Sequence, residues 1–219
     1  EGMVTVSKTK GQAYYQQQQW QQAANELEKA VAGRSGEANL HAWLGRSYFE
    51  LGRKDEALEE LNTAAQIDRS NRIGLYFAAR IYLDNQNYTQ AVAMAERAIQ
   101  AFPQDYNIRN LLGMAYLGTE RYADAAQQFE VVLGDRPNDP FGVYNLGQAY
   151  MAQEQWGRAV EQFQKGQNLF EAGSGNQGQL LYDLGMAFEK LGRNEDSLKA
   201  FQDSQKINNT ATVQDAIDR

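Results

Sequence analysis

A single histidine, His41, is the only imidazole in the 219 residues, and cysteine is absent. A structural metal site or a nucleophile paired with a base needs several such side chains converging, so zinc ribbons, thiol nucleophiles, disulfides and His-rich cages are all excluded. His41 stands four residues before Gly45, at a place that sequence-equivalent segments fill with Leu75, Val143 and Leu181, and it reads as a helix-packing residue. Gly173, Gly175 and Gly178 spell a Gly-x-Gly-x-x-Gly string. Dinucleotide binding requires that string to follow a β-strand, whereas helical sequence precedes it, so residues 171–178 read as a flexible loop and the one hinge of the chain. Asp55 with Glu56, and Glu59 with Glu60, fall among helix-surface charges and read as a solvated face. No Gly-x-Ser-x-Gly and no Gly-Lys-Ser/Thr occurs, so no catalytic residue, cofactor or metal is assigned and the chain is read as non-enzymatic.

The charge balance narrows the partner class. With 28 acidic and 21 basic residues the net charge is −7, which repels phosphate backbones and excludes nucleic acid as an expected ligand. No stretch approaches the roughly 20 apolar residues that span a bilayer. A chain opening Glu1-Gly2-Met3 reads as a trimmed fragment, and its compartment stays open. Ala, Gln, Leu and Glu are abundant and proline is limited to three residues, which favours helix throughout.

The elements that must position any site emerge from self-similarity. Small residues recur at Gly11, Gly45, Ala79, Gly113, Gly147 and Gly185, in steps of 34, 34, 34, 34 and 38. Three residues after each anchor stands an aromatic: Tyr14, Tyr48, Tyr82, Tyr116, Tyr150 and Phe188. Twelve after it comes Ala23, Ala57, Ala91, Ala125, Ala159 or Ser197, and sixteen after it Leu27, Leu61, Ala95, Phe129, Phe163 or Phe201. Trp20, Tyr88, Tyr122 and Trp156 fall nine after their anchors, where a first helix ends and a second begins. Pro103 and Pro137 lie past the second helix and close their repeats, because the ring fixes φ and removes an N–H. A pair of short helices cannot bury its apolar face alone, so such units stack and share a core. The small anchor then lets the two backbones of a pair nearly touch.

The spacing of Leu44-Gly45, Tyr48, Ala57, Leu61 and Ala64, repeated as Leu112-Gly113, Tyr116, Ala125, Phe129 and Pro137, resembles the tetratricopeptide repeat (TPR) family over nearly the whole chain. The departures are terminal: Lys10 precedes the first glycine in place of leucine, and Ser197 and Ser204 replace alanines in the last repeat. The resemblance implies an all-α, right-handed α-solenoid: six helix–turn–helix repeats at about 4–37, 38–71, 72–105, 106–139, 140–177 and 178–211, in one array over 1–219. A short C-terminal helix at 211–219, entered through Asn208-Asn209-Thr210, is expected to cover the end of the stack.

In that architecture the first helices line the concave side, and offsets −6, −3, +1 and +4 from each anchor share one stripe. Lys8, Tyr15, Asn39, Arg46, Tyr76, Arg80, Asn107, Asn110, Met114, Phe141, Tyr144, Gln148 and Tyr182 occupy it and form the expected partner-binding groove. Tyr, Arg, Met and Phe are hot-spot types, and Asn can hold a peptide backbone. Phe49, Leu83 and Leu117, on the same stripe, read equally as packing residues. The chaperone-carboxylate clamp of some TPR domains is matched only at Lys8; its other positions read Gln12, Trp43, Ile73 and Phe77. The expected function is a scaffold that accepts a protein or peptide segment. The alternatives are a self-associating homo-oligomer or the TPR portion of a larger enzyme or envelope, secretion or pilus assembly protein, with a lean toward a bacterial periplasmic or membrane-attached setting.

Overall fold

The structure is a computed structural model that describes residues 2–34 and 36–218. Thirteen helices and no strand occur among these residues. In chain order they are α1 (Gly2–Gln16), α2 (Trp20–Gly33), α3 (Ala38–Glu50), α4 (Lys54–Ile67), α5 (Arg72–Asp84), α6 (Tyr88–Ala101), α7 (Tyr106–Gly118), α8 (Tyr122–Asp135), α9 (Pro140–Ala152), α10 (Trp156–Gly166), α11 (Gly175–Lys190), α12 (Asn194–Ile207) and α13 (Ala211–Asp218), with α1 packed on α2, α3 on α4, α5 on α6, α9 on α10 and α11 on α12. The expected starts at 38, 72, 106 and 140 are the first residues of α3, α5, α7 and α9. Of the expected boundaries, Arg219 lies outside the described residues.

Each pair closes through the same turn. The residue seven after the anchor adopts a left-handed conformation in all six repeats, and only two of them use glycine: φ is 77° at Gly52 and 71° at Gly192, and 57–60° at Gln18, Gln86, Glu120 and Glu154. Two residues later Trp20, Tyr88, Tyr122 and Trp156 open the second helices, half-buried in the turn.

The anchors do what a small residue must. A Cβ placed on Gly11 would lie 2.8 Å from Leu27 Cδ2, one on Gly45 2.7 Å from Leu61 Cγ, and one on Gly185 2.6 Å from Phe201 Cδ1. The large residue sixteen positions on therefore fills the space the missing side chain leaves. Where the anchor is Ala79, that position holds Ala95, and both are fully buried.

The first helices α5, α7 and α9 start on side-chain caps. Asn71 accepts from Gly74 N at 2.9 Å, Asp139 from Gly142 N at 2.7 Å and Asp105 from Asn107 N at 3.0 Å, each satisfying an orphan N–H of the first turn.

The chain divides into two compact units, Glu1–Ala115 and Tyr116–Arg219. In the first, Leu27, Leu40, Leu44, Leu61 and Ile81 are the centre of a buried cluster, and Ala65, Leu75, Ala98 and Ile108 form another. In the second, Phe129, Phe163, Leu180 and Phe201 are buried. Ser197 and Ser204, the polar substitutes in the last repeat, are buried and donate to Gly185 O at 2.9 Å and Gly178 O at 2.7 Å. Val213 and Ala216 bury the inner side of α13.

One boundary is corrected. Residues 175–178, expected as loop, are the first turn of α11, capped by Ser174, and the loop lies four residues earlier, at 167–174. Side chains brace it: Gln177 Nε2 donates to Gln167 O at 3.0 Å and Asn208 Nδ2 to Gly175 O at 3.1 Å.

Candidate partner-binding face

The expected groove residues lie on the first helices, and the structure sorts them into engaged and available side chains. In the Glu1–Ala115 unit, Lys8 Nζ pairs with Glu37 Oε2 at 2.5 Å, and Asn39 Oδ1 accepts from Asn71 Nδ2 at 3.1 Å, so both serve the joints between helices. Arg46 is a wedge. Its guanidinium lies 5.3, 5.4 and 5.1 Å from the ring centroids of Tyr15, Trp20 and Phe77, and Nη1 donates to Tyr15 Oη at 2.9 Å. Its buried Nε has no hydrogen-bond acceptor, with Glu50 Oε1 3.7 Å away. Burial raises the Tyr15 pKa, and the Arg46 charge offsets part of that rise.

Arg80, one repeat on at the same offset, is the opposite case: it is exposed, and among the described residues no ion pair or hydrogen bond holds its guanidinium. Tyr76 packs edge-on against Phe77 at 5.1 Å and is half-buried. Asn107 and Asn110 are half-buried; Asn110 Oδ1 is a buried acceptor without a donor. Met114 is 41% exposed. Of these four, Arg80 and Met114 are exposed, and Asn107 and Asn110 are half-buried.

In the Tyr116–Arg219 unit, Phe141 is 53% exposed and stands edge-on to Phe170 at 5.3 Å. Tyr182 is half-buried against Phe201 at 5.5 Å. Tyr144 is engaged: its hydroxyl donates to Asp183 Oδ2 at 2.7 Å. Gln148 Nε2 donates to the same oxygen at 2.6 Å, and Gln179 Nε2 lies 3.3 Å from both Asp183 oxygens. Burial pushes the Asp183 carboxyl up, and these three donors offset part of the rise. Burial and the Asp183 charge push the Tyr144 hydroxyl up as well. Asp183 escaped the sequence reading because it lies off the chosen offsets. The signal was available two residues before the anchor, where the other repeats carry the uncharged Thr9, Trp43, Phe77, Leu111 and Asn145.

A second missed feature is the polar end of the recurrent aromatics. Tyr48 Oη donates to Glu28 Oε1 at 2.7 Å, Tyr150 Oη to Glu130 Oε1 at 2.5 Å, and Tyr82 Oη accepts from Asn62 Nδ2 at 3.0 Å. Each partner lies 20 residues earlier, on the preceding repeat's second helix. An arginine five residues after the ring stacks on it in three repeats, Arg53 on Tyr48 and Arg121 on Tyr116 at 4.1 Å and Arg193 on Phe188 at 4.4 Å.

His41 is buried in α3 with Nδ1 2.5 Å from Glu60 Oε2 on α4, a contact within one repeat. Among the described residues no group of three or more His, Asp or Glu could hold a metal ion, and no helix is long and apolar enough to cross a membrane.

Repeated antiparallel helix pairs with interlocking small and large positions define an all-α repeat scaffold. The tetratricopeptide repeat family matches residues 8–72, 77–140 and 144–211, and the chain belongs to that family. No curated protein matches the sequence. Among solved structures, PilW, described as a widely conserved type IV pilus biogenesis factor, is 16% identical, with 99% of each chain covered and a TM-score of 0.75. YrrB, described as a TPR protein with an unusual peptide-binding site, is 18% identical over 87% of this chain and 96% of its own, with a TM-score of 0.74. Pseudomonas aeruginosa pilF is 17% identical over 97% and 95%, with a TM-score of 0.73. At these identities the likeness is one of fold. The TPR fold is a protein–protein interaction scaffold.

Proposed function

We propose that the chain is a non-catalytic scaffold whose first helices receive an extended or helical segment of a protein partner, with Arg80 as the principal contact in the Glu1–Ala115 unit. The carrying observation is the contrast between Arg46, locked among three rings, and Arg80, exposed and unpaired at the same offset of the next repeat. An unpaired guanidinium, with Asn107, Asn110 and Met114 at stripe positions of the next repeat, supplies bidentate recognition of a carboxylate, amide pairing and an adaptable apolar contact. Phe141 and Tyr182 are the corresponding exposed and half-exposed aromatic contacts of the Tyr116–Arg219 unit.

A random peptide library displayed on phage and selected against the full chain tests this. Arg80→Glu is expected to lower the affinity of selected peptides at least tenfold, while leaving helix content by circular dichroism unchanged. Unchanged affinity would remove Arg80 from the site. Concentration-dependent light scattering separates this reading from self-association: a constant mass supports peptide capture by a monomer, and a rising mass favours the homo-oligomer.

A further inference from the structure

Asp183 is the least expected residue of the chain. Its position in the repeat is filled by the uncharged Thr9, Trp43, Phe77, Leu111 and Asn145 elsewhere, and Asp183 is 8% exposed. Every donor it receives is neutral: Tyr144 Oη, Gln148 Nε2 and Gln179 Nε2. Oδ2 takes the two short bonds, and Oδ1 receives only the 3.3 Å contact from Gln179. Among the described residues no cation forms an ion pair with it. Helix α9 has no charged residue, and the only cation on α11 is Lys190, at its last position. A buried carboxylate that only neutral groups solvate costs free energy that an apolar side chain in its place avoids.

The surroundings point outward. Tyr144 and Gln148 belong to the α9 stripe expected to meet a partner, and Gln179 is an exposed residue at the corresponding offset of α11. Beside them stand three rings in sequence, Tyr144 against Phe170 at 6.5 Å and Phe170 against Phe141 at 5.3 Å, of which Phe141 is open to solvent. Aromatic faces beside an unneutralised carboxylate suit a cation carried on an aliphatic stem, because the rings cover the stem and their quadrupoles attract the charge.

We propose that Asp183 is the floor of a subsite for a cationic side chain, the lysine ammonium or arginine guanidinium of the bound segment, with Phe141 and Tyr144 as its walls. This rests on the partner-binding reading above. The ligand ion replaces the missing counter-charge at Oδ1, and the three neutral donors hold the carboxylate toward it.

The experiment uses the same library selection on the full chain. Selected peptides are expected to share a lysine or arginine. Replacing that lysine by norleucine in the peptide, and Asp183→Asn in the protein, are each expected to lower affinity about tenfold, and the two changes together are expected to cost little more than either alone. The Asp183 carboxyl resonance of the wild type should titrate at lower pH when the lysine peptide is bound and stay put with the norleucine peptide. Equal losses for both peptides on Asp183→Asn would mean that Asp183 only ties α9 to α11, and would overturn the subsite. Peptides that bind in an Arg80-dependent way without that coupling overturn the subsite alone. Failure to select any peptide overturns the subsite and the parent reading together.

Discussion

Gly185 and Phe201 share one space: a Cβ on the glycine would lie 2.6 Å from both Cδ1 and Cε1 of the ring. The chain contains its own control, because the anchor Ala79 is paired at the same spacing with Ala95. Gly185→Ala should destabilise by about 1–3 kcal/mol through overpacking, even though alanine is the better helix former. Phe201→Ala should cost about 3–5 kcal/mol. The double variant reproduces the Ala79–Ala95 pairing and is expected to be at least about 1 kcal/mol more stable than the sum of the singles implies, measured by urea unfolding.

The inter-helix turns carry removable strain. Gln18, Gln86, Glu120 and Glu154 hold φ of 57–60°, a conformation that costs non-glycine residues about 1 kcal/mol. Replacing each by glycine is expected to stabilise by about 0.5–1 kcal/mol, and Gly52→Ala or Gly192→Ala to destabilise by about as much. Thermal unfolding midpoints check both signs.

These two cases show how much the sequence disclosed. The period of the anchors and the small and aromatic positions are set by backbone proximity, which allows few residue types, so the helix pairs and their starts were readable. The seventh position after the anchor was not, because four polar residues there conceal a conformation that Gly52 and Gly192 alone would suggest. The groove list was readable as a stripe but not as a set of free side chains. Arg46 and Arg80 have the same offset, and only the rings of Tyr15, Trp20 and Phe77 separate their roles. The loop at 167–174 was placed too late because the capping of α11 by Ser174 outweighs the glycines that follow it.

Tyr150 links three residues: its hydroxyl donates to Glu130 at 2.5 Å and accepts from Arg158 Nη2 at 2.6 Å. Tyr150→Phe should cost about 1–2 kcal/mol at neutral pH. Burial, then the Glu130 hydrogen bond and charge, push its pKa up to about 12. The phenol is protonated in the folded chain at a pH where the unfolded chain has begun to ionise. Its stabilising contribution is therefore complete below about pH 10 and fades as pH rises toward 12. The wild type and Tyr150→Phe should converge in stability across that interval, as urea titrations at stepped pH would record.

Asp183 gives the acid-side counterpart. Burial raises its folded pKa above that of the unfolded chain, so the folded state binds more protons across the interval between the two values. Stability from this group falls as pH rises through that interval. Asp183→Asn should then raise the melting temperature relative to wild type at pH 7, and the difference should shrink toward pH 4. A difference independent of pH would deny that the carboxylate is ionised at a cost.

The most direct measurement of partner binding compares two similarly exposed sites, one on a first helix and one on a second helix. Met114 on α7 is 41% exposed and Ile67 on α4 is 43% exposed. A benzophenone amino acid is placed at either position of the full chain, and a selected peptide is added under ultraviolet light. Binding on the first helices gives crosslinking from position 114 and none from position 67; crosslinking from 67 alone would contradict it.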